Sequence, residues 1–426
     1  MDPAANPCSA YLEALSRIPG PSDRRIALRV TPAAERALRR GHPWLFDQAI
    51  LRQSHDGRPG DLAVIFDRRR RFLAIGLYDP SSPLRVRVLQ RGEPATIDRD
   101  WFRARLASAA RLRTCLPGGG TTGYRLVHGE NDGLPGLVVD RYDRTLVLKL
   151  YTLAWMSHLR DVLPALAEVF PAERFVLRLG RAAQAQPQNL HGLSDGAVLF
   201  GPALDRPVVF QENGLRFEAD PVHGQKTGFF LDQRDNRARV EKLSSGTTVL
   251  NVFAYTGGFS VYAARGGARA VLSLDVSRPA LAAAARNFAL NRDQPSVAAA
   301  KHERLAGDAF EALARLGRGG RRFDVVILDP PAFARNRDQA PQALAAYARL
   351  TRLGLGVLRP GGTLVQASCS GPVAVDAFFS AVNKAAVQVG RPLREIERTG
   401  HPLDHPVAFP EGRYLKCLFA TAPAAG

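Results

Sequence analysis

Polar and reactive side chains follow a series of short apolar runs in the C-terminal half of the chain. Asn251 and Asp275 lie at the ends of two such runs, and Asp308, Asp329 and Cys369 follow later ones. Parallel strands in α/β domains bring their carboxyl ends to one edge of the sheet, where ligands bind. We therefore expect one pocket in which carboxylates hold a polar ligand and a thiol acts as a nucleophile.

The turn at residues 251–258 indicates which ligands are disfavoured. Gly257 and Gly258 allow close approach of the backbone to a ligand. Phe253 and Tyr255, however, stand where a GxGxxG fingerprint would have glycines. Such bulky residues leave less room for a pyrophosphate, so a nicotinamide cofactor and an oxidoreductase are the least favoured interpretation.

Two carboxylates favour an adenosine as the ligand. Asp275 can accept hydrogen bonds from two ribose hydroxyls, and Asp308 can accept one from an adenine amino group. An adenosine without a pyrophosphate suggests S-adenosylmethionine. Each carboxylate alone is more often a helix cap or a solvated turn residue, and only their order at successive strand ends favours a cofactor site.

Asp329 precedes Pro330 and Pro331, which hold the chain extended after a buried strand. This corner can present an acidic side chain and a carbonyl to a planar amino group or ring nitrogen. Phe333 could then stack on a base that has left its helix. The alternative is an ordinary strand-exit turn. On its own the motif is moderately specific, because many amino-methylating enzymes have similar corners.

Cys369 indicates the chemistry. The usual prior is an inert buried cysteine, but Cys369 lies in a small polar loop, Ser368-Cys-Ser-Gly371, at the predicted functional edge. A thiolate there can add to carbon 6 of a pyrimidine and make carbon 5 nucleophilic toward a sulfonium methyl group. We therefore expect Cys369 to be the nucleophile and the other three cysteines to be bystanders.

Composition points to a polyanionic partner. The net charge is +18. Residues 24–91 contain fifteen arginines, no lysine and six acidic residues, so this short region carries half of the net positive charge. This clustering favours nucleic-acid binding, although arginine is overused along the whole chain. Apolar runs are too short for a membrane span, and the scattered cysteines argue against a metal site. We expect a cytoplasmic protein without membrane attachment or a metal.

The hydrophobic patterns predict an α/β protein. A loosely ordered extension, a β-rich domain, a helical linker, a small α+β domain and a doubly wound domain are expected at residues 1–23, 24–93, 94–120, 121–214 and 215–426. Within the linker, Trp101, Leu106 and Leu112 fall near one helix face. Continuous apolar runs at 248–252, 270–275, 323–329 and 362–366 predict strands buried on both faces of a parallel sheet.

Several long motifs resemble one family, that of the ribosomal large-subunit RNA 5-methylcytosine methyltransferase I. The resemblance covers roughly residues 24–420. It rests on the three motifs above and on residues 41–46, 76–79, 124–140, 224–237, 404–407 and 410–416. The resemblance implies an N-terminal PUA domain, a central α+β domain and a C-terminal Rossmann-like catalytic domain that uses S-adenosylmethionine.

The resemblance also implies roles for particular residues. Those expected around the cofactor are Phe253, Tyr255, Thr256, Gly257, Asp275, Asp308 and Asp329. Cys369 would be the covalent nucleophile, with Asp329 at the ring edge, and Gln233 and Arg234 would line the active-site mouth. The implied partner is 23S ribosomal RNA or a large-subunit assembly intermediate. The oligomeric state stays open, with a homodimer as one option.

The sequence departs from the family before Arg24 and at Arg335-Asn-Arg337, which is unusually basic. A related group that forms 7-methylguanine lacks a thiol at the position of Cys369. Two other functions therefore stay in view: methylation of another base such as guanine, with Cys369 structural, and a non-catalytic RNA-binding assembly factor.

Overall fold

The computed structural model describes residues 15–16 and 18–423 of the chain. Of the extension that we predict to be loosely ordered, residues 1–14 and 17 lie outside the described residues. Leu15 and Ile18 are buried in an apolar core, and the Arg160 guanidinium donates to the carbonyl of Leu15 at 3.2 Å. The described end of the extension is therefore packed against the protein.

The described chain divides into two compact units. The first runs up to Asn213 and also includes Ala219–Phe229 and Leu403–Phe409. The second contains Gly214–Glu218, Phe230–Pro402 and the residues from Pro410 onward.

The N-terminal part of the first unit is a six-stranded sheet with one helix. Its elements are β1 (Ile26–Val30), α1 (Pro32–Arg39), β2 (Trp44–Phe46), β3 (Ile50–Gln53), β4 (Leu62–Phe66), β5 (Phe72–Tyr78) and β6 (Leu84–Arg91). The strand order is β2-β6-β5-β4-β1-β3, with β1 and β4 parallel and the other pairs antiparallel. Alternate residues of β1 are buried, as its sequence pattern predicts.

The basic turn at residues 68–71 is ordered by Asp67. The Asp67 carboxylate accepts hydrogen bonds from the backbone N–H groups of Arg69 and Arg71 and from the Arg39 guanidinium, each at 2.9 Å. The bonds from the Arg71 backbone, the Arg71 guanidinium and the Arg69 backbone lower the pKa of Asp67 to about 2. The four arginines of the turn are exposed. The buried Asp67 carboxylate therefore fixes the backbone of a turn whose four positive charges face solvent.

The central part of the first unit contains a five-stranded sheet. The elements of this part are α2 (Arg99–Leu112), α3 (Cys115–Gly118), β7 (Gly123–His128), β8 (Leu137–Tyr142), β9 (Thr145–Leu150), α4 (Leu159–Val169), β10 (Arg174–Leu179), α5 (Arg181–Gln184), β11 (Val198–Phe200) and β12 (Val208–Glu212). The strand order in the sheet is β11-β10-β9-β8-β7, and β9 and β10 are parallel.

The buried face of α2 differs from the predicted one. The helix buries Phe102, Leu106 and Ala109, a spacing of four and three residues that forms one stripe on a helix. Leu112 is an exposed hydrophobic residue, and Trp101 is only partly buried. The predicted face was therefore wrong at Leu112, whereas Trp101 packs against the core from a partly buried position beside Phe102.

A buried arginine ties α2 to the sheet. The Arg113 guanidinium donates to both oxygens of Asp132 at 2.7 and 3.2 Å. Its other N–H groups donate to the carbonyls of Ala109, Arg125 and Asp404 at 2.8, 2.5 and 3.0 Å. All five N–H donors of the guanidinium therefore have acceptors, which is what makes the burial of this charge tolerable.

The second unit forms the predicted doubly wound α/β domain. Its elements are β13 (Leu215–Ala219), α6 (Arg234–Lys242), β14 (Thr248–Val252), α7 (Gly258–Arg265), β15 (Ala270–Asp275), α8 (Arg278–Leu290), α9 (Pro295–Ala299), β16 (Lys301–Ala306), α10 (Ala309–Arg318), β17 (Phe323–Leu328), α11 (Ala340–Val357), β18 (Leu358–Ser368), α12 (Val375–Gln388), β19 (Arg394–Thr399) and β20 (Lys416–Thr421). A seven-stranded sheet has the order β16-β15-β14-β17-β18-β20-β19. Across the described residues, no helix is both long and apolar enough to cross a lipid bilayer.

Neither edge strand of this sheet was predicted from an apolar run of its own, although Asp308 was expected at the end of a strand region. β16 has the sequence KHERLA and β19 has REIERT, so neither contains an apolar run. Charged residues on edge strands prevent pairing with other chains. The central strands β14 and β17 are buried along almost their whole length and match the predicted runs.

Removing the guanidinium of Arg113 tests how much the first unit depends on it. Arg113→Ala leaves Asp132 buried without its cation, so we expect a loss of about 3–5 kcal/mol in the free energy of unfolding. All three tryptophans, at positions 44, 101 and 155, belong to the first unit. Urea unfolding followed by tryptophan emission therefore reports on this unit. Arg111→Ala, at an exposed arginine in the last turn of α2, should change stability by less than about 0.5 kcal/mol. Equal effects of the two substitutions would contradict the assignment.

Candidate active site

Parallel pairing brings the predicted site residues to one edge of the sheet. β14 pairs with β15 and β17, β15 pairs with β16, and β17 pairs with β18, all in parallel. The residues at or directly after the ends of these strands are Phe253, Asp275, Asp308, Asp329 and Cys369. Five neighbouring strands thus deliver one candidate residue each to the carboxyl edge, where α/β domains bind ligands.

The turn after β14 is strained. Phe253, Tyr255 and Gly257 have left-handed backbone conformations with φ of 59°, 48° and 78°. For residues with a side chain this conformation costs about 1–2 kcal/mol each. It is held by hydrogen bonds from the Ala254 N–H to the Leu274 carbonyl at 3.0 Å and from the Gly257 N–H to the Ala254 carbonyl at 2.8 Å. Strain of this kind persists mainly at functional sites.

Gly257 is required for packing within the domain. A Cβ atom at this position would lie 2.8 Å from the Cβ and 3.2 Å from the Cα of Ala284 on α8. From the sequence we expected this glycine to permit close approach to a ligand. The contact that the structure shows is with α8, which seats the turn directly on the helix.

Asp275 fixes the same turn. Its Oδ2 accepts a hydrogen bond from the Tyr255 N–H and its Oδ1 accepts one from the Ser277 N–H, both at 2.8 Å. Each carboxylate oxygen can accept a second hydrogen bond. Asp275 can therefore order the turn and receive ligand hydroxyls at the same time.

Two buried side-chain oxygens beside the turn have no hydrogen-bond partner among the described residues. They are Oδ1 of Asn251 and Oγ1 of Thr256. Both residues are fixed by other bonds: the Asn251 amide donates to Ser260 Oγ at 2.9 Å, and the Asn287 amide donates to the Thr256 carbonyl at 2.8 Å. Because buried polar atoms normally have partners, these two oxygens suit a hydrogen-bonding ligand.

Asp308 caps a helix. Its Oδ1 accepts hydrogen bonds from the backbone N–H groups of Phe310 and Glu311 at 2.9 and 3.0 Å, and the residue is exposed. This is the ordinary role of an aspartate before a helix. Both bonds use one oxygen, and the capped carboxylate stands at the same edge as Asp275.

Asp329 is held by the Leu231-Asp-Gln-Arg segment. Gln233 donates from its amide to Asp329 Oδ1 at 2.8 Å, and the Gln233 carbonyl oxygen accepts from the Asn236 amide at 2.6 Å. Gln233 and Arg234 are both buried. The structure therefore brings Gln233 into direct contact with Asp329, while Arg234 lies beside it in sequence at the start of α6.

Cys369 lies against the Asp-Pro-Pro corner, with its Sγ 3.8 Å from the carbonyl oxygen of Pro330. The next residue fixes the loop. Ser370 Oγ accepts hydrogen bonds from the N–H groups of Phe333 and Ala334 at 3.0 and 3.3 Å and bonds to the Tyr347 hydroxyl at 2.9 Å. The loops after β17 and β18 are therefore bonded to each other, which places a half-buried thiol beside the residues that follow Asp329.

Phe333 is packed more tightly than we expected from the sequence. Its ring centroid lies 4.9 Å from that of Tyr347, at 48°, and 6.4 Å from that of Phe310. The ring is partly buried in a small apolar cluster. Its contacts with neighbouring rings fix it at the edge of the corner.

Sequence reasoning missed the residues that hold the site together. Tyr347, Ser370 and Asn236 donate or accept the hydrogen bonds that fix the loops, and Lys416 is buried beside them. Asn236, Ser370 and Lys416 stood in motifs that we quoted, without a role. A tyrosine within an apolar helix has no sequence signal of its own.

The family of S-adenosylmethionine-dependent methyltransferases matches residues 125–420, and a PUA-like domain matches residues 28–91. A "Ribosomal RNA large subunit methyltransferase" from Deinococcus radiodurans is 50% identical over 406 residues, which cover 94% of this chain and 98% of that protein. A "Ribosomal RNA large subunit methyltransferase I" from Pseudoalteromonas translucida is 37% identical over 396 residues, covering 92% and 98%. The expected PUA-like and methyltransferase domains are confirmed.

Solved structures show the same fold. An S-adenosylmethionine-dependent methyltransferase candidate from Streptococcus mutans matches with a TM-score of 0.78 and 23% identity, over 93% of this chain and 99% of that one. A crystal structure of a methyltransferase candidate complexed with SAH matches with a TM-score of 0.79 at the same identity and coverage.

Replacing Gly257 tests the seat of the turn on α8. Gly257→Ala adds a methyl group at 2.8 Å from Ala284 and forces a left-handed alanine, so we expect about 2–4 kcal/mol of destabilisation. Ala284→Gly removes the opposing methyl group. In calorimetric unfolding, the double variant should be more stable than the sum of the two single effects predicts. Strict additivity would show that the contact is not what excludes a side chain.

Proposed function

Because the chain belongs to the family of S-adenosylmethionine-dependent methyltransferases, and its full-length relatives are named for the large-subunit ribosomal RNA, we propose that it methylates carbon 5 of a cytosine in 23S ribosomal RNA. The observation that carries this proposal is the contact of Cys369 Sγ with the Pro330 carbonyl at 3.8 Å. It puts a thiol beside a corner suited to a planar base. The cytoplasm, where ribosomes assemble, is the proposed site of action.

The cofactor pocket is proposed around the turn after β14. Asn251 Oδ1 and Thr256 Oγ1 are buried acceptors without partners among the described residues, and the cofactor carries ammonium, hydroxyl and amino donors that match them. Asp275 would hold the ribose and Asp308 the adenine, with Phe253, Tyr255, Gly257 and Asp329 around them. When bound, the cofactor supplies an electrophilic methyl group on a sulfonium sulfur.

Cys369 is proposed as the covalent nucleophile. Its thiolate forms a bond to carbon 6 of the cytosine while the ring takes up a proton at nitrogen 3, which makes carbon 5 nucleophilic. After carbon 5 has gained a methyl group, a base removes the proton on that carbon. The double bond between carbons 5 and 6 then re-forms, the carbon–sulfur bond breaks and the thiolate leaves, and nitrogen 3 gives up the proton that it had taken up. A water molecule or a carboxylate could act as that base.

Asp329 and Gln233 are proposed to hold the ring edge. The hydrogen bond of 2.8 Å between them fixes one carboxylate oxygen of Asp329, and an oriented carboxylate can accept from the amino group or the protonated ring nitrogen of cytosine. Phe333, fixed by its contact with Tyr347, would border the base, and Arg234 would line the entrance.

The PUA-like domain is proposed to hold RNA by its phosphates. Four exposed arginines at residues 68–71 are presented in a turn that Asp67 orders. Contacts of arginine with phosphates are independent of sequence and weaken with salt. The 23S RNA or a large-subunit assembly intermediate is the polyanion that this proposal requires.

A covalent adduct would be the direct sign of the mechanism. We expect the protein with S-adenosylmethionine and large-subunit RNA containing 5-fluorocytidine to form a complex that survives denaturing electrophoresis. Fluorine on carbon 5 cannot leave as a proton, so the carbon–sulfur bond is retained. Cys369→Ala should abolish the complex, while Cys115→Ala, the same change at an exposed cysteine, should form it like the unmodified protein.

Identification of the labelled nucleoside separates the proposed function from its rivals. With tritiated S-adenosylmethionine and unmodified RNA, label in 5-methylcytidine is expected, and Cys369→Ala should lose it. Label in a methylated guanosine that survives Cys369→Ala would make the thiol structural. No label on RNA or on ribosomal subunits, with RNA binding intact, would favour a binding factor.

Substitution of Arg68, Arg69 and Arg70 by glutamine tests the interaction with RNA. Arg71 stays, because it pairs with Asp67. We expect weaker RNA binding, and a slope of log affinity against log salt that falls by about 0.7 for each phosphate that the turn no longer neutralises. Calorimetric binding of S-adenosylmethionine should not change. The charge-matched triple variant at Arg315, Arg318 and Arg352 serves as the control, and an equal effect there would contradict a specific role of the turn.

A further inference from the structure

A buried ammonium group lies behind the loop that carries Cys369. Lys416, the first residue of β20, is directly opposite Ser368 in the antiparallel register with β18. The residue is 1% exposed. The ammonium donates to the carbonyl oxygens of Ser370 and Val373 at 2.6 and 2.8 Å. The loop that follows Ser368 therefore closes around a cation.

This cation has no carboxylate partner among the described residues, and its hydrogen bonds go to carbonyl groups alone. Lysine is rarely buried without a counter-ion. Burial lowers the pKa of Lys416 to about 8, and the interaction with Cys369 acts in the opposite direction. Lys416 is thus mostly protonated at neutral pH, and its electrostatic partner is a thiol.

Three titratable neighbours of the loop carry no positive charge. Asp329 follows β17 and is an acid. Tyr347 on α11 and Cys417 on β20 are buried, and burial raises the pKa of each, so both stay neutral near pH 7. Among these neighbours, Lys416 is the cation.

We propose that Lys416 is a positioning residue that stabilises the thiolate of Cys369, an inference that rests on the proposed function. An ammonium group has three N–H donors, and two of them hold the loop carbonyls. These two bonds fix the positive charge against the loop that carries the thiol. Ionisation of the thiol releases its proton to solvent and leaves the ammonium protonated, so a neutral S–H group becomes a thiolate beside a fixed positive charge.

The rate of alkylation by iodoacetamide, measured for each cysteine by peptide mass spectrometry between about pH 6 and pH 10, tests the proposal. In Lys416→Met and Lys416→Gln the midpoint for Cys369 should rise by about one pH unit, with roughly tenfold slower alkylation at neutral pH. The profile of Cys115, which is exposed, is the internal reference. Lys384→Met removes an exposed lysine from α12 and should leave the Cys369 profile unchanged.

The two variants separate charge from loop position. Lys416→Gln keeps an N–H donor for the carbonyls, so it remains informative even if Lys416→Met does not fold. An unchanged Cys369 midpoint in a folded, uncharged variant, with an unaltered melting temperature, would overturn the proposal. Alkylation needs no RNA. A shifted midpoint together with methylation that survives Cys369→Ala would therefore refute the covalent mechanism and leave the thiolate–ammonium pair standing.

Discussion

The parallel pairing of β14 with both of its neighbours is the constraint on which the candidate site depends. β14 is an interior strand of the seven-stranded sheet, and Leu250 and Val252 are fully buried. A slip of one residue would turn each of these side chains to the opposite face. The apolar core therefore fixes the register of the sheet, and the register fixes where Asp275, Asp329 and Cys369 emerge.

Register alone places residues at an edge, and hydrogen bonds between loops then set their final positions. Ser370 Oγ receives two backbone N–H groups from the loop after β17. The Tyr347 hydroxyl bridges Ser370 and Ser368 at 2.9 Å each. These are buried groups with satisfied bonds, which makes a rigid network. A thiol on such a loop keeps its distance from the Asp-Pro-Pro corner without help from a ligand.

The sequence allowed the central strands to be predicted because burial on both faces demands continuous apolar runs. The edge strands β16 and β19 could not be found in this way, because their sequences are rich in charged residues and contain no apolar run. The site residues likewise divide into those that a sequence pattern predicts and those that it does not. Asp275, Asp329 and Cys369 stand at strand ends that hydrophobicity reveals. The helix-capping bonds of Asp308, the contact of Gly257 with Ala284 and the burial of Lys416 depend on the folded backbone and on segments distant in sequence, and no local pattern encodes them.

Arg113 and Lys416 show why a buried charge needs an explanation beyond stability. The Arg113 guanidinium donates to five oxygen atoms, two of which belong to the Asp132 carboxylate, so its burial is compensated within the fold. Lys416 has two carbonyl acceptors, and its pKa falls from 10.5 to about 8 on folding. The unfolded chain then binds more protons than the folded one between these values, so stability rises with pH across that window. Below about pH 8 the full cost of burying the ammonium remains. An apolar side chain of similar length would avoid that cost under neutral conditions. Lys416 lies opposite Ser368, the residue before Cys369. The thiolate that Lys416 can stabilise there accounts for a buried cation at this position.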